Sequence, residues 1–208
     1  MCGRYKQNAA HADVVKHFQL IDAVFEIRPR NEIFPGTDIL AVDREHRPEM
    51  IHWTVEDCDH KGVMRTVINA KAETVHFVTM FRDAFKDGRV LIPATGFYEW
   101  KESKDKQKEK YEFEFDEPLF AFAGIARPCE IKGEERNCGV ILTTEANDVV
   151  RPIHAKNRMP VILHKYDYEK WLNPDTSAAE LKHLMKPIPN EEIMAHSLTQ
   201  IPPDKLKS

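Results

Sequence analysis

Short stretches in which hydrophobic and polar residues alternate dominate the middle of this chain, and this two-residue period is typical of half-buried β-strands. β-Branched and aromatic residues are frequent within these stretches, which also favours extended backbone. We predict strands in this region at residues 89–93, 95–101, 111–115, 119–125 and 138–143. The charged run at 101–110 lies between two of them and predicts a solvated hairpin tip.

Further strands are predicted on both sides of this region, at residues 38–42, 49–53, 63–68 and 159–163. Apolar residues at helical spacing predict helices at residues 8–20, 76–86, 166–172 and 177–185. Asn8 is the expected N-cap of the first helix, Gly88 is the expected stop of the second, and Ser177 and Glu180 have capping-box spacing. Strands outnumber helices and do not alternate with them, so we expect an α+β fold around a curved antiparallel sheet.

The length of 208 residues predicts a single domain, 1–208, whose tail after about residue 201 is expected to be frayed. Thirty basic and 34 acidic residues give a net charge of -4. This net charge argues against a function in coating nucleic acid, which relies on many basic side chains. It is compatible with a short basic groove. The chain lacks both an apolar run of roughly 18 residues and a secretory signal, so we expect a cytoplasmic protein without a membrane partner.

The four cysteines contain no Cys-x-x-Cys pair and no regular framework. This pattern favours free thiols in a reducing cytosol over a disulfide scaffold. The ten histidines are scattered without the usual spacing of metal ligands, and no glycine-rich phosphate loop is present. We therefore expect neither a metal nor a cofactor.

Cys2 follows the initiator methionine directly, and a side chain as small as that of cysteine normally permits removal of Met1. Removal would leave an α-amine and a thiol on adjacent carbons, with pKa values of about 7.7–8.0 and about 8.5 in model peptides. Such a 1,2-aminothiol condenses with an aldehyde and closes to a thiazolidine ring. A chain can also carry cysteine at this position by chance, and on this feature alone that interpretation is favoured.

Two further groups are candidates for proton transfer. Glu99 lies among three aromatic residues in a predicted strand, where it shares a face with Phe97, and desolvation there would raise its pKa as a proton shuttle requires. His154 precedes a predicted strand and has an ordinary pKa near neutrality. Each also has a purely structural interpretation, as a rim glutamate and as a core histidine.

Polar side chains lie at the ends of several predicted strands. Asn69 and Lys71 place an amide and an ammonium group after one strand, Thr143 ends another, and Arg158 precedes a third. The Arg158 guanidinium is a candidate for forking onto a phosphate, and the Thr143 hydroxyl for donating to one. Thr at a strand end is common, so Thr143 alone carries little information.

Taken together, these stretches resemble the SOS response-associated peptidase (SRAP) family, whose members capture abasic sites in single-stranded DNA. The resemblance extends from Cys2 to about residue 200. It rests on five blocks in order, namely Cys2-Gly3-Arg4-Tyr5, Arg28-Pro29-Arg30-Asn31, Asn69-Ala70-Lys71-Ala72-Glu73-Thr74, Gly96-Phe97-Tyr98-Glu99-Trp100 and Arg158-Met159-Pro160-Val161-Ile162-Leu163. It implies a barrel-like form of the α+β fold predicted above.

The resemblance also implies a covalent mechanism. Cys2, freed of Met1, would attack C1′ of the ring-opened abasic sugar through its amine, and its thiol would close the thiazolidine. Asn69 would orient the α-amine, Glu99 would shuttle protons, and His154 would act on the sugar oxygens. Reversal of the crosslink and a weak lyase side reaction are further implied activities.

The partner implied by the resemblance is single-stranded DNA containing abasic sites, bound by a monomer that associates with the nucleoid and with proteins of the replication fork. The DNA-binding residues that the resemblance implies are Arg4, Lys71, Thr143 and Arg158 for phosphates and Trp53 and Trp100 for flanking nucleotides.

The chain departs from the family pattern at four places, one of which is Ala123-Gly124-Ile125-Ala126-Arg127 in place of a typical Ala-Gly-Leu-Trp-Glu. Lys71 stands where members usually carry arginine, so the charge is kept and the bidentate fork is lost. The usual Trp-Gly-Leu-(Ile/Val)-Pro wedge reads Trp53-Thr54-Val55-Glu56-Asp57, with Asp59 close by. Three residues separate His154 from Arg158, where the family usually has one.

Two other functions remain open at this point. The chain can be a cysteine peptidase or hydrolase that uses Cys2 and His154, as the family's historical label suggests. It can also be a non-catalytic nucleic-acid-binding module, which would bind intact and abasic strands alike.

Overall fold

The computed structural model describes residues 2–58, 64–102, 107–131 and 133–198. Within these residues there are fifteen strands and four α-helices. In chain order they are β1 (Tyr5–Gln7), α1 (His11–Phe18), β2 (Arg30–Ile33), β3 (Asp38–Val42), β4 (Pro48–His52), β5 (Val55–Cys58), β6 (Met64–Val67), β7 (Asn69–Lys71), α2 (Thr79–Asp87), β8 (Arg89–Ala94), β9 (Gly96–Glu102), β10 (Lys108–Phe115), β11 (Phe120–Ile131), β12 (Glu134–Glu145), β13 (Arg158–Pro160), β14 (Ile162–Leu163), α3 (Tyr168–Leu172), α4 (Ala178–Leu184) and β15 (Ile193–Ser197).

Five strands close into a barrel, in the order β3, β4, β12, β11, β8 and back to β3. Neighbouring strands of the barrel are antiparallel, with one exception. β4 and β12 are parallel, and Cys138 lies opposite His52. β13, β14 and β7 add to the edges of this sheet. The predicted α+β fold with a curved, barrel-like sheet and flanking helices is confirmed.

A second, five-stranded sheet has the order β15-β10-β9-β1-β2. The short strand β1 lies inside it, with Tyr5 opposite Phe97 of β9 on one side and opposite Ile33 of β2 on the other. The sequence does not predict β1, because three residues are too few to establish an alternating pattern. Its place beside β9 nevertheless fixes the N-terminus against the strand that carries Glu99.

The barrel strands divide their buried side chains between two hydrophobic cores. Leu91 packs in a core shared with the four helices, whereas its neighbours Val90 and Ile92 pack in a core shared with the second sheet. Such alternation is the two-residue period of a strand buried on both faces. Cys2 belongs to the second core and is fully buried there.

Most predicted elements are present, with some changes of boundary. β11 and β12 are twelve residues long because their hairpin continues past the core into polar residues, which the hydrophobic pattern does not mark. The strand predicted at 159–163 is split, since β13 pairs with β12 and β14 with β11. The hairpin between β9 and β10 is confirmed at its base, whereas residues 103–106 at its tip and the tail after 198 lie outside the described residues.

The predicted helix boundaries are correct at some ends and wrong at others. The capping box is confirmed, because Ser177 accepts a hydrogen bond from the Glu180 amide and the Glu180 carboxylate accepts from that of Ser177. Asn8 is not an N-cap: α1 begins at His11, and the Asn8 side chain instead accepts a hydrogen bond of 2.9 Å from the Thr95 hydroxyl. α2 ends before Gly88 as predicted, but begins only at Thr79.

The expectation of free thiols is wrong for one pair of cysteines. Cys129 and Cys138 form a disulfide across the β11–β12 hairpin, with a Cα–Cα distance of 5.7 Å. In the register of this hairpin Cys129 lies opposite Arg136, so Cys138 is its diagonal neighbour on the same face. Sequence spacing alone does not reveal the pair, because the contact depends on the register of two strands.

Gly96 allows a charged side chain to cross β9. Lys6 on β1 passes over Gly96 and forms ion pairs with Glu112 and Glu114 on β10, the latter at 2.7 Å. A Cβ at position 96 would lie 2.6 Å from Lys6 Cε and 2.7 Å from the carbonyl oxygen of Phe113. No larger residue fits without displacing one of the three strands.

We predict that Gly96→Ala lowers the free energy of unfolding by about 1–3 kcal/mol, the usual cost of overpacking. Urea denaturation followed by tryptophan fluorescence measures the change. Lys101→Ala, at an exposed position of the same strand, is the control and should stay within about 0.5 kcal/mol of the parent. Equal midpoints for the two variants would contradict the crossing of Lys6 over β9.

Candidate active site

Cys2 belongs to the second core and lies three residues before β1, which begins at Tyr5. Its side chain is fully buried, and its Sγ–H points to the Arg4 carbonyl oxygen at 3.8 Å. The same carbonyl accepts a hydrogen bond of 2.9 Å from the Tyr98 amide. The N-terminal segment is therefore held along β9, one residue from Glu99.

Glu99 is a buried carboxyl group, with only 5% of the residue exposed. Burial raises its pKa from the ordinary value of 4.5 to about 7. The direction agrees with the prediction from its aromatic surroundings. Among the described residues, its buried Oε1 atom has no hydrogen-bond partner. Glu99 is therefore able to gain and lose a proton near neutral pH.

His154 is the second titratable group at this position. Its Nε2 atom lies 3.7 Å from Glu99 Oε2, and its Nδ1 atom lies 2.7 Å from the Arg158 carbonyl oxygen. Because a carbonyl only accepts, we assign the ring proton to Nδ1, which leaves Nε2 facing the carboxyl group as an acceptor. Burial lowers the pKa of His154. At neutral pH the pair is therefore suited to share the proton held by Glu99.

The thiol of Cys2 differs from the sequence expectation of a pKa near neutrality. Burial raises its pKa strongly, and the negative charge of the nearby Glu99 carboxylate raises it further. The thiol is consequently protonated in the folded protein. Any reaction at sulfur here requires a neighbouring base, and Glu99 is the nearby carboxylate whose charge raises the pKa of Cys2.

Asn69 begins β7, which pairs in parallel with β12. Its side-chain amide donates to the Ile141 carbonyl oxygen at 3.3 Å, while its buried Oδ1 atom has no partner among the described residues. The preceding residue, Ile68, packs against the core that contains Cys2. An acceptor buried without a donor is costly, so Oδ1 is open to an additional N–H group.

Three of the predicted phosphate-binding residues come together where β7, β12 and β13 meet. Lys71 lies opposite Thr143 in the β7–β12 pair, and the Arg158 guanidinium donates to both the carbonyl and the hydroxyl oxygen of Thr143. The Thr143 hydroxyl itself donates to the Ala70 carbonyl oxygen at 3.4 Å and is almost fully buried. The predicted grouping thus exists in space, with Arg158 and Lys71 nearer to solvent than Thr143.

Glu73 is the one member of this cluster that the sequence did not identify as part of the site. Its carboxylate accepts two hydrogen bonds from Arg158, at 2.7 and 2.9 Å. Burial alone would raise the pKa of Glu73, but Arg158 and Lys71 outweigh this effect and lower it. The Arg158 fork that was expected to hold a phosphate therefore holds a carboxylate in this structure.

Arg4 and Trp100 lie on the opposite face of β9 from Glu99. The Arg4 guanidinium is 4.2 Å from the centre of the Phe34 ring and 4.9 Å from that of Trp100, and it pairs with Glu32 at 3.5 Å. Phe34 is 40% exposed. The sequence gives no signal for Phe34, since an exposed aromatic residue in a loop has no pattern. These residues form a cationic and aromatic surface.

Trp53 does not present a stacking surface in this structure. Its ring is fully buried, its Nε1–H donates to the Ile68 carbonyl oxygen at 2.9 Å, and it contacts Tyr5 edge-to-face. The residue that precedes Asn69 is thereby tied to the core. Of the acids that follow Trp53, Glu56 is exposed, the side chain of Asp57 is not described, and Asp59 lies outside the described residues.

Neither a metal site nor a membrane span is found in the parts of the chain that the structure describes. No group of three or more His, Cys, Asp or Glu side chains there is arranged to hold a metal ion. No helix among those residues is long and apolar enough to cross a membrane.

The buried Glu99 makes stability depend on pH. Because its folded-state pKa is raised, the folded protein holds a proton that the unfolded chain releases between pH 4.5 and about 7, so this contribution to stability falls as pH rises through that range. Glu99→Gln removes the ionisable group. We predict that its free energy of unfolding, relative to the parent, rises by about 3 kcal/mol from pH 4.5 to pH 8.

Urea denaturation at the two pH values measures this difference. Glu102→Gln, at an exposed position of the same strand, is the matched control and should show no such change. A constant difference between Glu99→Gln and the parent across the range would contradict a raised pKa.

Comparison with known proteins identifies the family of this chain. Residues 1–201 match the family described as SOS response associated peptidase (SRAP). The chain is 33% identical to the abasic site processing protein YoaM of Bacillus subtilis, covering 97% of this chain and 92% of YoaM. It is 26% identical to the abasic site processing protein YedK of Escherichia coli, over 88% of this chain and 85% of YedK.

Solved structures share the fold. A crystal structure of a protein from Bacteroides thetaiotaomicron superposes with a TM-score of 0.85 at 25% identity, covering all of this chain and 95% of the other. A protein from Bordetella bronchiseptica shares the fold with a TM-score of 0.79 at 21% identity, covering 95% of this chain and all of the other. The chain belongs to the SOS response associated peptidase (SRAP) family.

Proposed function

We propose that this protein recognises abasic sites in single-stranded DNA and links itself to them covalently through Cys2. The observation that carries the proposal is the buried carboxyl group of Glu99, with a pKa of about 7, beside the buried thiol of Cys2. The naming of its relatives as abasic site processing proteins supports the same substrate. The reaction requires that Met1 be removed first.

The chemistry has two bond-forming steps. The α-amine of Cys2 adds to the C1′ aldehyde of the ring-opened sugar, and loss of water gives an imine. The thiol then adds to the imine carbon while its proton passes to a base and a proton returns to nitrogen, which closes a thiazolidine. No atom is oxidised or reduced, and one water molecule is released.

Glu99 is suited to both steps. In its protonated form it donates to the oxygen that leaves as water, and in its ionised form it accepts the proton of the Cys2 thiol. The second role follows from the strongly raised pKa of that thiol, which does not ionise without help. His154, with Nε2 3.7 Å from the carboxyl group, exchanges the proton with Glu99 between the steps. A residue that carries the proton in each direction also serves the reverse reaction.

Asn69 supplies the orientation of the amine. The buried Oδ1 atom, which lacks a donor among the described residues, accepts from the α-ammonium or amine of Cys2 once Met1 is gone. This hydrogen bond directs the nitrogen lone pair toward the aldehyde. Since the Asn69 Nδ2 group is already bound to Ile141, the amide cannot turn freely and the acceptor keeps its direction.

The DNA backbone is bound by two surfaces. Arg158, Lys71 and Thr143 hold one phosphate, which replaces the Glu73 carboxylate on the Arg158 fork. Arg4 contacts another phosphate, and the exposed parts of Trp100 and Phe34 pack against neighbouring nucleotides. Trp53 has no part in this because its ring is buried.

The peptidase alternative is less well supported. A cysteine hydrolase uses a thiolate, whose pKa is lowered by a neighbouring histidine or other cation. Here burial and the Glu99 carboxylate raise the pKa of Cys2, and His154 faces Glu99. Incubation with a peptide library in the absence of DNA tests this alternative, and turnover abolished by Cys2→Ala would favour it over the crosslinking function.

We predict that the parent protein forms an adduct with uracil-excised single-stranded DNA that survives heat and denaturant. Cys2→Ala should form no such stable adduct, although its α-amine still gives an imine that borohydride traps. Protein that retains Met1 is the control: it keeps the thiol but lacks the adjacent amine, and should bind DNA without a thiazolidine. Intact mass spectrometry reads Met1 removal and adduct mass together, and an undiminished heat-stable adduct in Cys2→Ala would refute the mechanism.

We predict that Glu99→Gln slows crosslinking by about 10²-fold or more, the usual contribution of a positioned acid–base group. The rate of the parent should change with an apparent pKa near 7, and this inflection should be absent from Glu99→Gln. Single-turnover crosslinking from pH 5 to 9 measures both. Non-covalent affinity should stay unchanged, and an equal loss of affinity would assign Glu99 a structural role instead.

A further inference from the structure

We propose that, given the function above, the DNA strand on one side of the abasic site continues along a second surface, the α2–α4 groove. This groove has a volume of about 1080 Å³ and lies between the helices α2 and α4. Four cationic residues and one aromatic residue define it here, namely Arg82, Lys86, Lys182, Lys186 and Phe77.

The groove begins where the candidate phosphate site ends. Glu73, Thr144 and Glu145 line it, and Glu73 is the residue that occupies the Arg158 fork. In the register of β12 and β13, Glu145 lies opposite Arg158. A strand whose phosphate sits on Arg158 therefore lies next to residues that line the groove.

The charge of the groove suits a polyanion. Lys86, Lys182 and Lys186 are exposed, and among the described residues none of the three has an ion-pair partner. Two of the acidic residues in the lining are already compensated, since Asp83 pairs with Arg82 at 3.2 Å and Glu73 with Arg158. In a protein with a net charge of -4, this leaves a local excess of cations, and each of them can neutralise a phosphate.

An aromatic pair lies at the groove as well. His76 and Phe77 have ring centres 3.9 Å apart, and Phe77 is 60% exposed. An exposed ring beside cationic side chains is the combination that binds single strands without regard to sequence, because every base has a face for stacking. A solvent-exposed phenylalanine of this kind has no role in the cores described above.

The walls of the groove are rigid. The buried Arg89 guanidinium donates to the carbonyl oxygens of Phe85, Trp171 and Asn173, each at 2.6 Å, and so ties the end of α2 to α3. The capping box at Ser177 fixes the start of α4. A preformed groove loses little conformational entropy when a strand enters it.

The size and position of the groove favour DNA over other ligands. Its volume of about 1080 Å³ is large enough to hold a segment of polymer. An acidic peptide would also meet the lysines. Under the proposed function, a nucleic acid also accounts for the position of the groove next to the Arg158–Glu73 pair.

The test compares two triple variants with the same change in net charge. Lys86→Glu, Lys182→Glu and Lys186→Glu alter the groove, and the control carries Lys16→Glu, Lys108→Glu and Lys165→Glu at exposed positions elsewhere. Both are made with Cys2→Ala, so that no thiazolidine forms and the reversible imine at the α-amine is common to the two variants. Fluorescence anisotropy at several salt concentrations measures the affinity for three single-stranded oligonucleotides. The first has its abasic site at the centre, the second has a long arm only on the 5′ side of that site, and the third has a long arm only on the 3′ side.

We expect the groove variant to bind at least about tenfold more weakly than the control to the central oligonucleotide and to one of the single-arm oligonucleotides. Its log–log salt slope should fall by about 2, the value for three lost phosphate contacts on a single strand. Affinity for the other single-arm oligonucleotide should match that of the control. Circular dichroism and the urea midpoint establish that both variants are folded.

Equal affinities and salt slopes of the two variants for every oligonucleotide would overturn the groove proposal. Binding of a poly-glutamate peptide that depends on the groove lysines, without a corresponding effect on DNA, would also overturn it and assign the groove to an acidic protein partner. The proposed function fails separately, through absence of a heat-stable adduct with the Cys2-containing protein, and the anisotropy comparison does not depend on that outcome.

Discussion

The site depends on the pairing of one very short strand. β1 inserts its three residues between β2 and β9, and this pairing carries Cys2 into the core beside Glu99. Burial then does two things at once: it raises the pKa of the carboxyl group to about 7 and that of the thiol far above its ordinary value. A solvent-exposed N-terminus would have neither property, so the chemistry we propose follows from where the sheet holds the chain end.

Much of the fold could be predicted because strands and helix caps depend on residues that are close together in the sequence. The strands around Glu99 alternate clearly, and the capping box at Ser177 is a contact between neighbours in sequence. The same holds for the raised pKa of Glu99, which follows from the aromatic residues on either side of it. The grouping of Lys71, Thr143 and Arg158 was implied by family resemblance, and no local pattern would have suggested it.

The features that could not be predicted depend on the register between paired strands and on contacts between segments that are distant in the sequence. The Cys129–Cys138 disulfide exists because a hairpin register makes the two residues diagonal neighbours. Trp53 is buried because its indole binds a carbonyl fifteen residues away. The Glu73–Arg158 pair joins residues 85 positions apart. Composition and periodicity contain no information about any of these, since each is set by the tertiary arrangement.

The Glu73 carboxylate affects how the protein would distinguish intact DNA from DNA with an abasic site. A phosphate that arrives at Arg158 exchanges places with an internal anion, so it gains only the difference between two similar contacts. Under the proposed function, undamaged strands therefore dissociate readily. The protein can inspect many nucleotides in succession, and retention is left to the aldehyde, the one chemical group that intact DNA lacks.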